Sequence, residues 1–159
     1  MRFPDANPPI QSIYFNLGSH HPIHPYLKSC QPAYRAPYAW YIRVPDLAAF
    51  IRQIAPALER RVAKGSLAGL TRSLVLDFYT GGLRLDFEAG RLVQVDNLPR
   101  GVEKSDGAFP PLVFLQLLFG YRSLSQICQC FPDAIIDPKT HPILDILFPR
   151  KPSWVVELY

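Results

Sequence analysis

The chain has 159 residues, which bounds it at about one domain by the usual span of roughly 100–200 residues per domain, and its 48% hydrophobic content is enough to fill a core. The net charge of +4 comes from 17 basic against 13 acidic residues, and the densest basic group, Arg60, Arg61 and Lys64, reads as the solvated face and end of a helix. A basic stripe interleaved with aromatics, the footprint of a nucleic-acid reader, is absent. The longest apolar run, Leu112–Phe119, is interrupted by Gln116 and falls short of the roughly 18 apolar residues of a membrane span.

Residues 1–37 have a character of their own. Pro4, Pro8 and Pro9 break up Met1–Ile10, so no secretory apolar segment is expected there. Ile10–Leu17 can form one strand, with Ile13, Phe15 and Leu17 alternating against Ser12, Tyr14 and Asn16, and Gly18 ends it. The following residues, to Ser29, read as a turn with one helical turn, and Gln31–Pro37 as a linker. Prolines crowd both ends of the chain, which favours short elements and extended turns over long helices.

Tyr38–Val44 is a β-type run rich in aromatics. Asp46 then stands as N-cap to a helix whose Leu47, Phe50, Ile51, Ile54, Leu58 and Val62 share one face. Pro56 removes one backbone hydrogen bond from that helix, so a kink or restart is expected. Gly65–Gly69 leads into Arg72–Asp96, the clearest pattern in the chain. Leu74, Leu76 and Phe78 alternate with polar residues, as do Leu83, Leu85 and Phe87, and a third run opens at Leu92–Val93. Period-two alternation means half-buried strands. Gly81–Gly82 and Gly90 are placed to supply the positive φ of tight hairpins, giving a three-stranded antiparallel meander.

Pro99–Gly107 is a polar loop. Pro110–Pro111 and Gly120 bracket a short, nearly all-apolar helix over Leu112–Phe119 that should lie across the apolar face of the sheet. Ser123 and Gln126 fit a capping box for a second helix, Leu124–Cys130. A last helix is expected over His141–Phe148 and a final strand over Trp154–Leu158. The expected class is α+β: an antiparallel sheet of Tyr38–Val44 plus the meander 72–96, covered on one face by short helices.

The chemistry-bearing residues are sparse. His20, His21 and His24 have spacings that a metal site can use, but Pro22 and Pro25 work against a helix and no carboxylate or thiol sits close in sequence; a surface turn is favoured and no metal is expected. Cys128 and Cys130 are two apart in a helix and point away from each other, so packing explains them. The odd cysteine count, adding Cys30, fits the reduced thiols of a cytoplasmic protein. Asp77, Asp86 and Glu88 on the polar face of the meander form an acid–base pair less readily than cross-strand ion pairs with Arg84 and Arg91. Phosphate-cradling glycine loops, a GxSxG elbow and HExxH do not occur. What remains is an apolar layer over an apolar sheet face, which is core or, where it leaves space, a cavity for an apolar ligand.

Four pieces, PYAWYIRVPDLAAFI, LDFYTGGLRLDFEAGRL, FPPLVFLQLLFGYRSL and LFPRKPSW, together resemble the C-terminal, sterol-carrier-protein-like domain of bacterial GNAT-superfamily N-acetyltransferases. The resemblance covers roughly three quarters of the chain or more, as far as a pattern can be pressed. SIYFNLGSHHPIHPYL resembles the last strand and following turn of the catalytic fold of that superfamily. The resemblance implies an N-terminal arm over 1–37, a remnant of a catalytic domain, and a sterol-carrier-like domain over 38–159.

It implies a non-catalytic role, packing on an acetyltransferase catalytic domain and shaping its substrate side. Acetyl-CoA would be the cofactor of the full-length enzyme. The family's acetyl-CoA loop, [RQ]xxGx[GA], is absent here, so this chain alone is expected to bind no cofactor and to be inactive. Where such sequences often carry a tyrosine after HP-x, this chain has His24, and Tyr26 is the nearest substitute. Some relatives use the terminal carboxylate as a base; this chain ends at Tyr159, and nothing local to its last residues establishes the correspondence.

The alternative is an independent binder of lipid or another apolar small molecule, with Trp40, Leu76, Phe78, Leu85, Phe87, Phe114 and Leu118 as pocket or cover. A third reading is an interaction module that forms a homo-oligomer through the sheet edge and the 1–37 arm.

Overall fold

Three antiparallel strands follow from the alternation: β1 (Arg72–Asp77), β2 (Gly82–Glu88) and β3 (Arg91–Leu98). They belong to a computed structural model that describes residues 11–15, 17, 21–33 and 41–152. Leu74 stands opposite Leu85, Leu76 opposite Leu83, and Leu85 opposite Val95; all five are buried. One register therefore puts these five aliphatics on the same face, and a slip of one residue would expose the whole set. A bulge at Asp86/Phe87 pairs Phe87 with Leu92 and leaves Val93 unpaired and exposed.

The two hairpins turn by different devices. Ala89 (φ +48°) and Gly90 (φ +82°) make a two-residue turn with both residues left-handed, and Thr71 Oγ1 accepts the Ala89 N–H at 3.0 Å. In the first hairpin the left-handed residue is Tyr79 (φ +62°), whereas Gly81 and Gly82 do not have positive φ, contrary to expectation. Tyr79 is held there because Asp77 Oδ1 accepts its N–H at 2.9 Å and its hydroxyl donates to the Asp133 carbonyl at 2.7 Å. Gly82 is instead a matter of space: a Cβ would lie 2.7 Å from the Leu76 carbonyl oxygen.

Two short strands complete the sheet. β4 (Gly107–Ala108) pairs parallel with β1, β5 (Ile135–Ile136) pairs antiparallel with β4, and the order is β3-β2-β1-β4-β5. The sheet is thus mostly antiparallel with one parallel pair. The expected strand at Tyr38–Val44 is not part of it where it can be followed: 38–40 lie outside the described residues, and 41–44 carry no strand.

Both edges of the three-stranded meander are taken. β4 occupies the free edge of β1, where Asp106 Oδ2 accepts the Val75 N–H at 2.8 Å. Helix α2 (Leu47–Lys64) occupies the outer edge of β3: Arg52 donates to the Val95 carbonyl at 2.5 Å, and Glu59 Oε1 accepts the Leu92 N–H at 3.0 Å.

Helix α2 starts as the sequence requires. Asp46 Oδ1 accepts the Ala49 N–H at 3.0 Å, and Asn97 ties the cap to β3 by donating to the same oxygen at 2.9 Å. Those bonds hold the Asp46 carboxyl below its ordinary pKa of 3.8, the Ala49 N–H first and Asn97 second. Ala48, Ile51, Leu58 and Val62 form its buried stripe. The helix runs unbroken for 18 residues through Pro56, so no restart occurs. Pro56 sits on the exposed side, where water can satisfy the carbonyl left without its N–H partner.

Three short helices contribute buried residues to the same core: α3 (Val113–Leu118), α4 (Leu124–Cys130) and α5 (His141–Leu147). Both halves of the Ser123/Gln126 capping box form at α4. Arg61 of α2 donates to the Leu147 carbonyl at the end of α5, and burial pulls its pKa below the ordinary arginine value. Asp106 Oδ1 holds Arg72 at 2.6 Å, and Arg72 also reaches Thr140 Oγ1 at 3.2 Å, which satisfies the fully buried Thr140. All this lies within one compact unit, Ala39–Ser153.

The other unit, Met1–Tyr38 with Trp154–Tyr159, contains a single-turn helix, α1 (His24–Leu27), followed by a 3-10 turn at Lys28–Cys30. The strand expected at Ile10–Leu17 does not form over residues 11–15, which are exposed, because no described strand pairs with them. The strand expected at Trp154–Leu158 lies outside the described residues. Among the described residues, no helix is long and apolar enough to cross a membrane.

Candidate functional site

A groove of about 310 Å³ opens at the end of the meander where the β1–β2 turn, the end of β3 and α3 converge. Four segments wall it. Arg43–Pro45 and Leu47 lead into α2; Phe78 and Thr80–Gly82 form the hairpin turn; Asn97 and Leu98 end β3; Pro111, Leu112, Phe114 and Leu115 belong to the start of α3.

Its floor is aromatic. Phe114 is 2% exposed and lies 5.3 Å, ring centroid to centroid, from Phe78, 5.4 Å from Phe109 and 5.4 Å from Phe148. One ring therefore links the hairpin, the segment after β4 and the end of α5, in the tilted and edge-on arrangements that aromatic pairs favour. Gly82 lets the floor approach, since any side chain there would strike β1 and Val102.

The polar groups of the groove differ in how committed they are. Asn97 Oδ1 accepts the Ala48 N–H at 3.2 Å while its amide donates to Asp46, so it serves the fold. Thr80 Oγ1 donates to the Phe78 carbonyl at 3.4 Å. Arg43 is exposed, stands at the groove wall, and has no acidic partner within salt-bridge distance among the described residues. The arrangement is an apolar slot with one uncommitted cation at its rim, the common make-up of a small-molecule site.

Leu112 is the unusual wall residue. Pro110, Pro111, Leu112 and Val113 form a β-turn closed by the Val113 N–H donating to the Pro110 carbonyl at 3.0 Å. Leu112 has φ +67° and ψ −10°, the third position of a type II turn, where glycine is ordinarily required. A leucine there costs on the order of 1–2 kcal/mol in backbone strain.

The residues expected to form the pocket divide. Phe78 and Phe114 meet at the groove. Leu76, Leu85 and Phe87 are in the closed core, 0–2% exposed, and Leu118 packs against that core from its edge. Trp40 lies outside the described residues. Helix α3 meets the sheet end through Phe114, while α2 is the helix that lies along the strands. Arg43, Leu98, Pro111 and Leu112 were not signalled by alternation, because they sit in turns or at element ends; the Pro-Pro-Leu turn was the one legible clue.

The other candidates are dispersed. His21 Nδ1 accepts the Ile23 N–H at 3.2 Å, and among the described residues no group of three or more His, Cys, Asp or Glu is placed to hold a metal. Register sets Arg84 opposite Asp96 and Glu88 opposite Arg91, yet the ion pair at contact distance among the described residues is Arg72–Asp106. The expected cross-strand pairs do not close: Asp77 turns to the Tyr79 N–H, and Asp96 accepts from Gln94 at 2.7 Å. Asp86 Oδ1 and Gln116 Oε1 are buried with no hydrogen-bond partner among the described residues. Cys128 is half-buried, which raises its thiol pKa above 9.0, whereas Cys130 and Cys30 are exposed. A second depression, about 520 Å³, lies beside α2 and the β2–β3 turn, but Glu59, Arg60 and Arg91 line it and it has no aromatic floor.

No family model matches this chain, and no curated protein matches it. Among solved structures it is similar to one titled "Crystal structure of sterol carrier protein 2", at 11% identity over 62% of this chain and 96% of that chain, with a TM-score of 0.39. So low a likeness leaves the function to be argued from the groove itself.

Proposed function

We propose that the unit Ala39–Ser153 binds a small amphipathic molecule in the groove, its apolar body on Phe78 and Phe114 and one anionic group toward Arg43. The observation that carries this is an uncommitted guanidinium beside an apolar slot in which the half-buried Phe78 ring lies over the buried Phe114. A guanidinium at the rim of an apolar slot favours a carboxylate, sulfonate or phosphate over a neutral ligand, because charge-assisted hydrogen bonds are the stronger ones. The test is fluorescence titration with anilinonaphthalene sulfonate, which has an apolar ring body and one anionic group. The protein should bind it at one site, and Arg43→Glu should weaken that binding about tenfold by reversing the rim charge. Equal binding by Arg43→Glu would sink the proposal.

A second reading has the domain act as the substrate-side cover of an acetyltransferase catalytic domain. It draws on the resemblance of the sequence and on Ile13 and Phe15, which alternate along the chain and are 69% and 55% exposed. Apolar side chains at every second position, left exposed, are what a strand taken from another sheet would show. On this reading the chain alone transfers no acetyl group from acetyl-CoA to amines, and clear turnover would overturn it.

A further inference from the structure

Among the described residues of this unit, three other than glycine hold positive φ: Tyr79, Ala89 and Leu112. Two have an evident return within the fold. Ala89 makes the two-residue hairpin between β2 and β3 and donates to Thr71. Tyr79 anchors the first hairpin to the Asp133 carbonyl through its hydroxyl.

Leu112 has none. No side-chain cap forms at α3, the side chain is 44% exposed, and it belongs neither to the core cluster nor to the apolar residues packed on it. The turn itself would form better with glycine or asparagine, since Pro111 before it already favours type II. What the leucine adds is apolar surface on the wall of the groove, next to Phe114 and across from the hairpin turn.

From this we infer that Leu112 is a ligand-contact residue, kept in a strained turn because its side chain forms one wall of the groove. The inference rests on reading the groove as a binding site. It makes a demand that a structural leucine would not meet: binding and stability must move apart when Leu112 is replaced by a residue suited to left-handed backbone. Half-burying a leucine against a ligand is worth about fivefold in affinity, from the transfer free energy of the area covered.

The experiment compares wild type with Leu112→Asn, Leu112→Gly and Leu112→Met, measuring thermal melting and the titration with anilinonaphthalene sulfonate. Leu112→Asn and Leu112→Gly should bind at least about fivefold more weakly while the melting temperature holds or rises. Leu112→Met keeps apolar reach and should bind as wild type does. A fall in melting temperature of more than about 4 °C in both left-handed variants would make Leu112 structural and overturn the inference. So would unchanged binding in both. If the dye fails to bind wild type, or binds Arg43→Glu equally well, the groove reading fails and this inference falls with it. If Arg43→Glu weakens binding and the Leu112 variants do not, the groove stands and the inference alone is wrong.

Discussion

At Gly82 a methyl group would sit 2.7 Å from the Leu76 carbonyl oxygen and 2.9 Å from Val102 Cγ2. The backbone oxygen belongs to a paired central strand and cannot move without breaking the ladder. Gly82→Ala should therefore destabilise the protein by about 2–3 kcal/mol, the cost of an overpacked site, in a urea titration. Gly81, whose Cβ would meet a single backbone oxygen at 3.1 Å, should tolerate alanine better.

Asp46 is the residue whose charge state matters. Its folded carboxyl is held below 3.8, chiefly by the Ala49 N–H. A lowered folded pKa means stability that is fully present above the unfolded value and is lost as pH falls through the folded one. Wild type should therefore melt above Asp46→Ala at neutral pH, and the gap should narrow as pH falls below 3.8. A gap that stays constant to lower pH would show that the cap does not depend on the carboxylate.

Among the elements, α2 has the most to gain. Its buried stripe and Asp46 cap are favourable, but Pro56 leaves one carbonyl without an intrahelical donor on the exposed side. Pro56→Ala should stabilise by about 2 kcal/mol: a helix-interior proline costs about 3 relative to alanine, less about 1 for the stiffness proline gives the unfolded chain. A chemical denaturation midpoint that does not rise would mean the helix already accommodates the proline. The same helix explains why the sheet ends at β3. Arg52 and Glu59 satisfy backbone groups that a further strand would have used, so the aromatic run before it leads into the cap instead.

In the whole molecule, Phe114 joins three parts that are far apart in sequence, through Phe78, Phe109 and Phe148. Phe114→Ala should cost about 3–5 kcal/mol, a large share of the roughly 5–15 kcal/mol that holds a domain folded, and a calorimetric melt would show it. A loss below about 1 kcal/mol would mean that the floor of the groove collapses to fill the space.

The sequence by itself determined what has a period or a cap: the three strands with Leu74, Leu76, Leu83 and Leu85 on one face, the start of α2 at Asp46, and the capping box at Ser123. These depend on neighbours a few residues apart, so the residue types alone specify them. The tertiary structure decided the rest. Strands of two residues such as β4 and β5 have no period to read, and they exist because β1 had a free edge. Which apolar residues close the core and which face the groove was likewise not written locally: Leu85 and Phe78 look alike in the alternation, yet one is sealed and the other lines the slot. Burial is set by what packs from elsewhere in the chain, and that is also why the groove became visible only when four distant segments met at one end of the sheet.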